Sequence, residues 1–188
     1  MAEVVVFHHA QGLTDGVRAF ADELRAAGHT VHTPDLHEGR TFATLPEAMG
    51  YVQETGFDTI IGRGQQAAQA LPSEVFYVGF SMGVLPAQYL TQTRPGARGA
   101  VFVYSFVPPA ELGGEWPEGV PLQIHMMEND PEVNPPNIDL EAARAMDSAE
   151  LFLYPGDKHL FADSSLPSYD PDATKLLMQR VKAFLARV

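Results

Sequence analysis

The chain of 188 residues contains no cysteine. That excludes a disulfide framework, a thiolate metal site and a cysteine nucleophile. Basic residues are also scarce, 12 against 24 acids, giving a formal net charge of −12. Nucleic acid and anionic membrane are therefore excluded as expected partners, since both need a basic footprint. No apolar run approaches the roughly 20 residues that span a bilayer. The opening Met-Ala-Glu-Val-Val-Val-Phe-His-His lacks the basic region and cleavage pattern of a signal peptide, so a cytoplasmic location is expected.

What is present is an ordinary globular composition, 45% hydrophobic and 19% charged. Short apolar runs recur at Val4–His8, His29–Thr33, Val75–Phe80, Ala100–Tyr104, Pro121–Met127 and Leu151–Tyr154. Several are continuous rather than alternating, as for strands buried on both faces of a parallel sheet. Helical patterns fill the intervals at Thr14–Ala27, Leu45–Glu54, Phe57–Leu71, Met82–Thr93, Asp139–Ser148 and Pro171–Arg187. The alternation predicts one α/β domain over residues 1–188, a doubly wound, mainly parallel sheet of about six strands with no separate cap domain. The Pro- and Gly-rich stretches Val107–Gly119 and Asn129–Asn137 follow strands directly, where open parallel sheets bind ligands.

Gly79-Phe80-Ser81-Met82-Gly83 is a G-x-S-x-G pattern between a strand and a helix. A sharp turn there exposes a serine hydroxyl in a strained conformation, and the flanking glycines let strand and helix approach. The backbone N–H of Met82 would face an oxyanion formed on Ser81. In this class of site the order is nucleophile, acid, base. Only His125 and His159 follow Ser81. His125 lies inside a strand run and reads as a core residue, whereas His159 lies in the loop before the last helix and is the expected base. Glu128, Asp130 and Glu132 are all in position for the acid. Asp130, in a turn, is best placed and Glu128 is the alternative; Asp157 reads as a turn former.

These segments resemble the dienelactone hydrolase family of α/β hydrolases. The likeness rests on His8–Leu13, Ala27–Leu36, Gly79–Gly83, Glu128–Pro131 and Tyr154–Gly156 leading to His159-Leu160-Phe161. It implies a Ser81, Asp130 and His159 triad, with Ala10 as second oxyanion donor beside Met82. His9, by its family position, and with it Gln11, are expected at the entrance of the site. Trp116, in the apolar, proline-rich segment after the fourth run, either walls an acyl pocket or packs under its loop. The founding members carry cysteine at the position of Ser81, glutamate at that of His9, and an arginine clamp for the substrate carboxylate at that of Asp163. An acid at the clamp implies repulsion of an anionic substrate. The chain also begins at what resembles their third strand.

The paired His8-His9 point to opposite sides of a regular strand, so no metal or other cofactor is expected. Gly12–Gly16 and Gly62-Arg63-Gly64 read as turn chemistry. The sequence thus predicts a hydrolase of a small, neutral ester, lactone or thioester. A ligand-binding protein on the same fold, or an amidase or acyltransferase using the same residues, remains the alternative.

Overall fold

A computed structural model describes residues 1–132 and 140–187. It contains one sheet of six strands: β1 (Glu3–Phe7), β2 (Thr30–His32), β3 (Phe76–Phe80), β4 (Gly99–Val103), β5 (Leu122–Met127) and β6 (Ala149–Tyr154). Every neighbouring pair is parallel, and the order is β2-β1-β3-β4-β5-β6. Each run predicted from the sequence becomes one of these strands, with ends moved by one or two residues. The central strands β3 and β4 are buried along their whole length, which accounts for their unbroken apolar character.

Among the described residues, six α-helices cover the two faces. Helices α1 (Asp15–Ala26) and α6 (Pro171–Arg187) share one core with Val4, Val6, Val78 and Val101. Helices α2 (Leu45–Thr55), α3 (Phe57–Ala68), α4 (Val84–Thr93) and α5 (Leu140–Arg144) lie in the other, with Val5, Tyr77, Phe102 and Ile124. Adjacent strand residues thus feed opposite cores, as the two-residue period requires. Thr14 caps α1 by accepting a hydrogen bond from the Val17 N–H, and Thr44 caps α2 from Glu47. No helix among the described residues is long and apolar enough to cross a membrane.

Two glycines read as turn formers are close-packing positions instead. Gly16 lies in the first turn of α1, where a Cβ would meet a carboxylate oxygen of Asp163 at 1.7 Å. Gly64 lies inside α3, where a Cβ would sit 2.4 Å from the Pro86 ring and push α3 off α4. Of the Asn129–Asn137 loop, residues 133–137 lie outside the described residues, as does the first residue of the helix expected at Asp139–Ser148.

The strand order reverses direction between β1 and β3, both of which end beneath the same rim. A crevice at the carboxyl ends of parallel strands opens at such a point. The loops that follow β1, β3, β4, β5 and β6 all converge there.

Candidate active site

Ser81 begins a single 3-10 turn, Ser81–Gly83, immediately after β3 and runs directly into α4. Its φ is 49°, a left-handed conformation that costs a non-glycine residue roughly 1–3 kcal/mol. The flanking glycines make the turn possible. A Cβ on Gly79 would lie 2.6 Å from the Gly83 carbonyl oxygen, and one on Gly83 would lie 2.4 Å from that of Phe7. Alanine at either position forces backbone apart.

The hydroxyl so presented meets His159, with Oγ 3.0 Å from Nε2. The other ring nitrogen, Nδ1, is 2.7 Å from Asp130 Oδ2. A carboxylate can only accept, so Nδ1 carries the proton and Nε2 is free to accept from the serine. Asp130 is fully buried and sits just past β5, where its Oδ1 accepts the backbone N–H of Glu132 at 2.9 Å. Glu128 and Asp157 are exposed, and it is Asp130 that meets the histidine. His125 is buried between Tyr154, whose hydroxyl is 2.8 Å from Nδ1, and Gln123, whose Oε1 accepts from Nε2 at 3.2 Å. Burial, aided by the charge of Arg180, pushes its pKa down to about 3, so it is a neutral core residue as its sequence context suggests.

The loops after β5 and β6 hold each other. Glu128 N–H donates to the Tyr154 carbonyl at 2.9 Å, and Asn129 N–H to that of Gly156 at 3.0 Å. Tyr104 supports the same region from β4. Its φ of 72° turns it out of the strand, its ring lies 5.3 Å from the His159 ring, and its hydroxyl accepts the Ala162 N–H at 2.7 Å. Nothing in the sequence marks Tyr104 for this role, because it reads as the last residue of a strand.

The backbone N–H groups of Met82 and Ala10 form no hydrogen bond among the described residues. The Ala10 peptide is nonetheless held firmly: its carbonyl accepts His37 Nε2–H at 2.8 Å, and the next N–H, of Gln11, donates to His9 Nδ1 at 3.2 Å. His37 keeps a buried Nδ1 with no partner, and burial lowers its pKa, so it is a neutral donor through Nε2.

A cavity of about 530 Å³ opens over Ser81 and His159, within the range of small-molecule sites. Its walls come from α2, α3, the start of α4 and the loop after β4. Gln88 of α4 pins that loop by donating to the Val107 carbonyl at 2.6 Å and accepting the Val107 N–H at 3.2 Å.

Three residues expected around the substrate are not among the lining residues. His9 is fully buried, with Nε2 2.7 Å from Asp163. Gln11 uses its side chain to hold the carbonyls of Phe42 and Ala43 at 3.1 and 3.2 Å. Trp116 donates to the Val120 carbonyl at 2.7 Å and packs edge-on against Phe102, as a loop anchor. Asp163, expected to repel an anionic substrate, does not line the cavity either. It is 2% exposed, accepting from His9, Thr14 and Ser165. Burial would raise its pKa, but those hydrogen bonds outweigh burial and hold it at about 2. Among the described residues no group of three or more His, Asp or Glu is placed to hold a metal ion.

The sheet order, the turn at Ser81 and the absence of a separate cap among the described residues define an α/β hydrolase. The chain belongs to the dienelactone hydrolase family, whose profile matches residues 1–188, and is accordingly a carboxylic ester hydrolase. A candidate dienelactone hydrolase from Klebsiella pneumoniae superposes with a TM-score of 0.75 at 17% identity, covering 100% of this chain and 88% of that one. A dienelactone hydrolase-like promiscuous phosphotriesterase from metagenomic libraries gives 0.71 at 19% identity, covering 99% and 86%. A dienelactone hydrolase from Anabaena variabilis gives 0.67 at 17%, covering 98% and 86%. At these identities the likeness speaks to the fold. No curated protein matches the chain in sequence.

Proposed function

We propose that the chain hydrolyses a small ester, lactone or thioester through an acyl-enzyme on Ser81. The observation that carries this reading is the unbroken relay from Ser81 Oγ to His159 Nε2 at 3.0 Å and from His159 Nδ1 to Asp130 at 2.7 Å. His159 takes the serine proton as Oγ attacks the carbonyl carbon, and Asp130 holds the tautomer and offsets the imidazolium charge. The N–H groups of Met82 and Ala10, unbonded among the described residues, receive the negative charge that develops on the carbonyl oxygen. The imidazolium then protonates the leaving alkoxide or thiolate as its bond to carbon breaks. Water, deprotonated by the same histidine, attacks the acyl carbon and releases the acid and free serine.

A hydroxyl depends on its base far more than a thiol does, so serine here makes the relay indispensable. The test is labelling with a fluorophosphonate alongside turnover of p-nitrophenyl esters, thioesters and amides. Wild-type protein is expected to label at Ser81 and cleave the esters, while folded Ser81→Ala does neither. Absence of both from folded wild type would favour a ligand-binding role, and equal turnover of amides would widen the reaction class.

A further inference from the structure

The cavity over Ser81 is built from two kinds of surface. One is apolar, with Leu45 and Met49 of α2, Ile61 of α3, Leu85 of α4 and Leu112 beyond β4 facing the same space. Phe57 stands at this surface with 45% of its area exposed, and the other large apolar side chains so exposed, Met1 and Leu176, lie outside the cavity. The second surface is charged and of one sign. Asp58, Glu111 and Glu132 line the cavity, all three are exposed, and no lysine or arginine among the described residues lines it.

Two cations close in sequence to lining residues are engaged elsewhere. Arg63 is taken up by the Leu36 carbonyl, Tyr51 and Glu38. Lys158 lies against the Tyr169 carbonyl and Asp170. Residues 133–139 contain neither lysine nor arginine. None of the three cavity carboxylates forms an ion pair among the described residues.

We infer that the site selects uncharged esters or lactones whose acyl chain lies along the apolar wall, and rejects substrates whose acyl chain carries a carboxylate. This rests on the hydrolytic reading above and assigns its specificity to Asp58, Glu111 and Glu132. Two effects act in the same direction. Each methylene laid against the wall leaves water, worth about fourfold per group. Each lining carboxylate within a Debye length of roughly 8–10 Å repels a substrate anion, and three such charges together are worth about tenfold. The discrimination comes from the cavity's own acids; buried Asp163, satisfied by His9, Thr14 and Ser165, contributes no exposed charge.

The experiment compares mono-p-nitrophenyl hexanedioate with its methyl ester, two acyl chains that differ in one terminal charge. At low ionic strength the methyl ester is expected to show roughly tenfold higher kcat/KM, and added salt narrows the ratio. Asp58→Asn, Glu111→Gln and Glu132→Gln combined are expected to bring the ratio to within about threefold. Equal rates on the two esters with Ser81 still labelled by fluorophosphonate would overturn this inference alone. An unchanged ratio in the triple variant would overturn its assignment to these carboxylates. Failure to cleave either ester, with no labelling of folded protein, would overturn the hydrolytic reading and this inference with it.

Discussion

Two histidine–aspartate pairs of nearly the same geometry stand beside the mouth of this sheet. His159 and Asp130 meet at 2.7 Å, and so do His9 and Asp163. In both, the carboxylate is buried and also accepts a backbone N–H two residues further on, from Glu132 in one case and Ser165 in the other. The difference lies at the far ring nitrogen. That of His159 faces a serine hydroxyl, and the ring keeps 12% exposure toward the cavity. That of His9 accepts the Gln11 N–H, and the ring is sealed. Burial lowers the His9 pKa even against the pull of Asp163, so the ring stays neutral and the pair works as a fixed strut. The pairing alone therefore does not mark a catalytic histidine; the group at its second nitrogen, and access to it, do.

The comparison can be broken from either side. The largest effect is expected at the open pair. His159→Ala lowers kcat by roughly 10⁴-fold or more, and Asp130→Asn by about 10³–10⁴-fold; His159→Ala also leaves buried Asp130 short of a donor, at a stability cost of about 3 kcal/mol. Ester kinetics beside a melting curve separate the two quantities. At the sealed pair the balance shifts toward stability. His9→Leu leaves Asp163 short of a donor, costing about 3 kcal/mol, and frees the loop carrying Ala10, so kcat falls about tenfold while KM changes little. A KM change as large as that in kcat would place His9 in substrate binding after all.

The smallest effect is a dependence on pH. Asp163 titrates at about 2 in the folded chain, below its ordinary 3.8, so its stabilising contribution is complete above about pH 4 and is lost as pH falls through about 2. In Asp163→Asn that part of the acid destabilisation, ~2 kcal/mol, is missing. Denaturant unfolding at pH 5 and pH 2.5 should therefore fall less steeply in the variant. Equal slopes would show that the carboxylate is not held as described.

Much of the fold was legible because its signals are local. Strand and helix positions follow from runs and periods a few residues long, and the Ser81 turn from two glycines that a Cβ would ruin. The approach of Ser81, Asp130 and His159 could be read from chain order, since each follows the end of a strand in one parallel sheet. What escaped was decided by partners distant in sequence. His9 and Asp163 are 154 residues apart, and nothing local indicates that they close on each other. The available hint was Gly16, a glycine in a helix's first turn, which signals close approach by a neighbour; the neighbour is Asp163. Trp116 stayed between two readings for a similar reason. Its indole finds the Val120 carbonyl only once the loop after β4 has folded back on Phe102.

The order in which the chain is made gives the relay a further consequence. Ser81 follows β3, near the middle of the sequence, while His159 follows β6 and is backed by the core that α6 completes. A chain growing from its amino end therefore carries the serine long before it carries His159. On the proposed mechanism, chemical competence arrives with the last strand and helix, and the nascent protein is expected to be hydrolytically silent until its sheet is nearly closed.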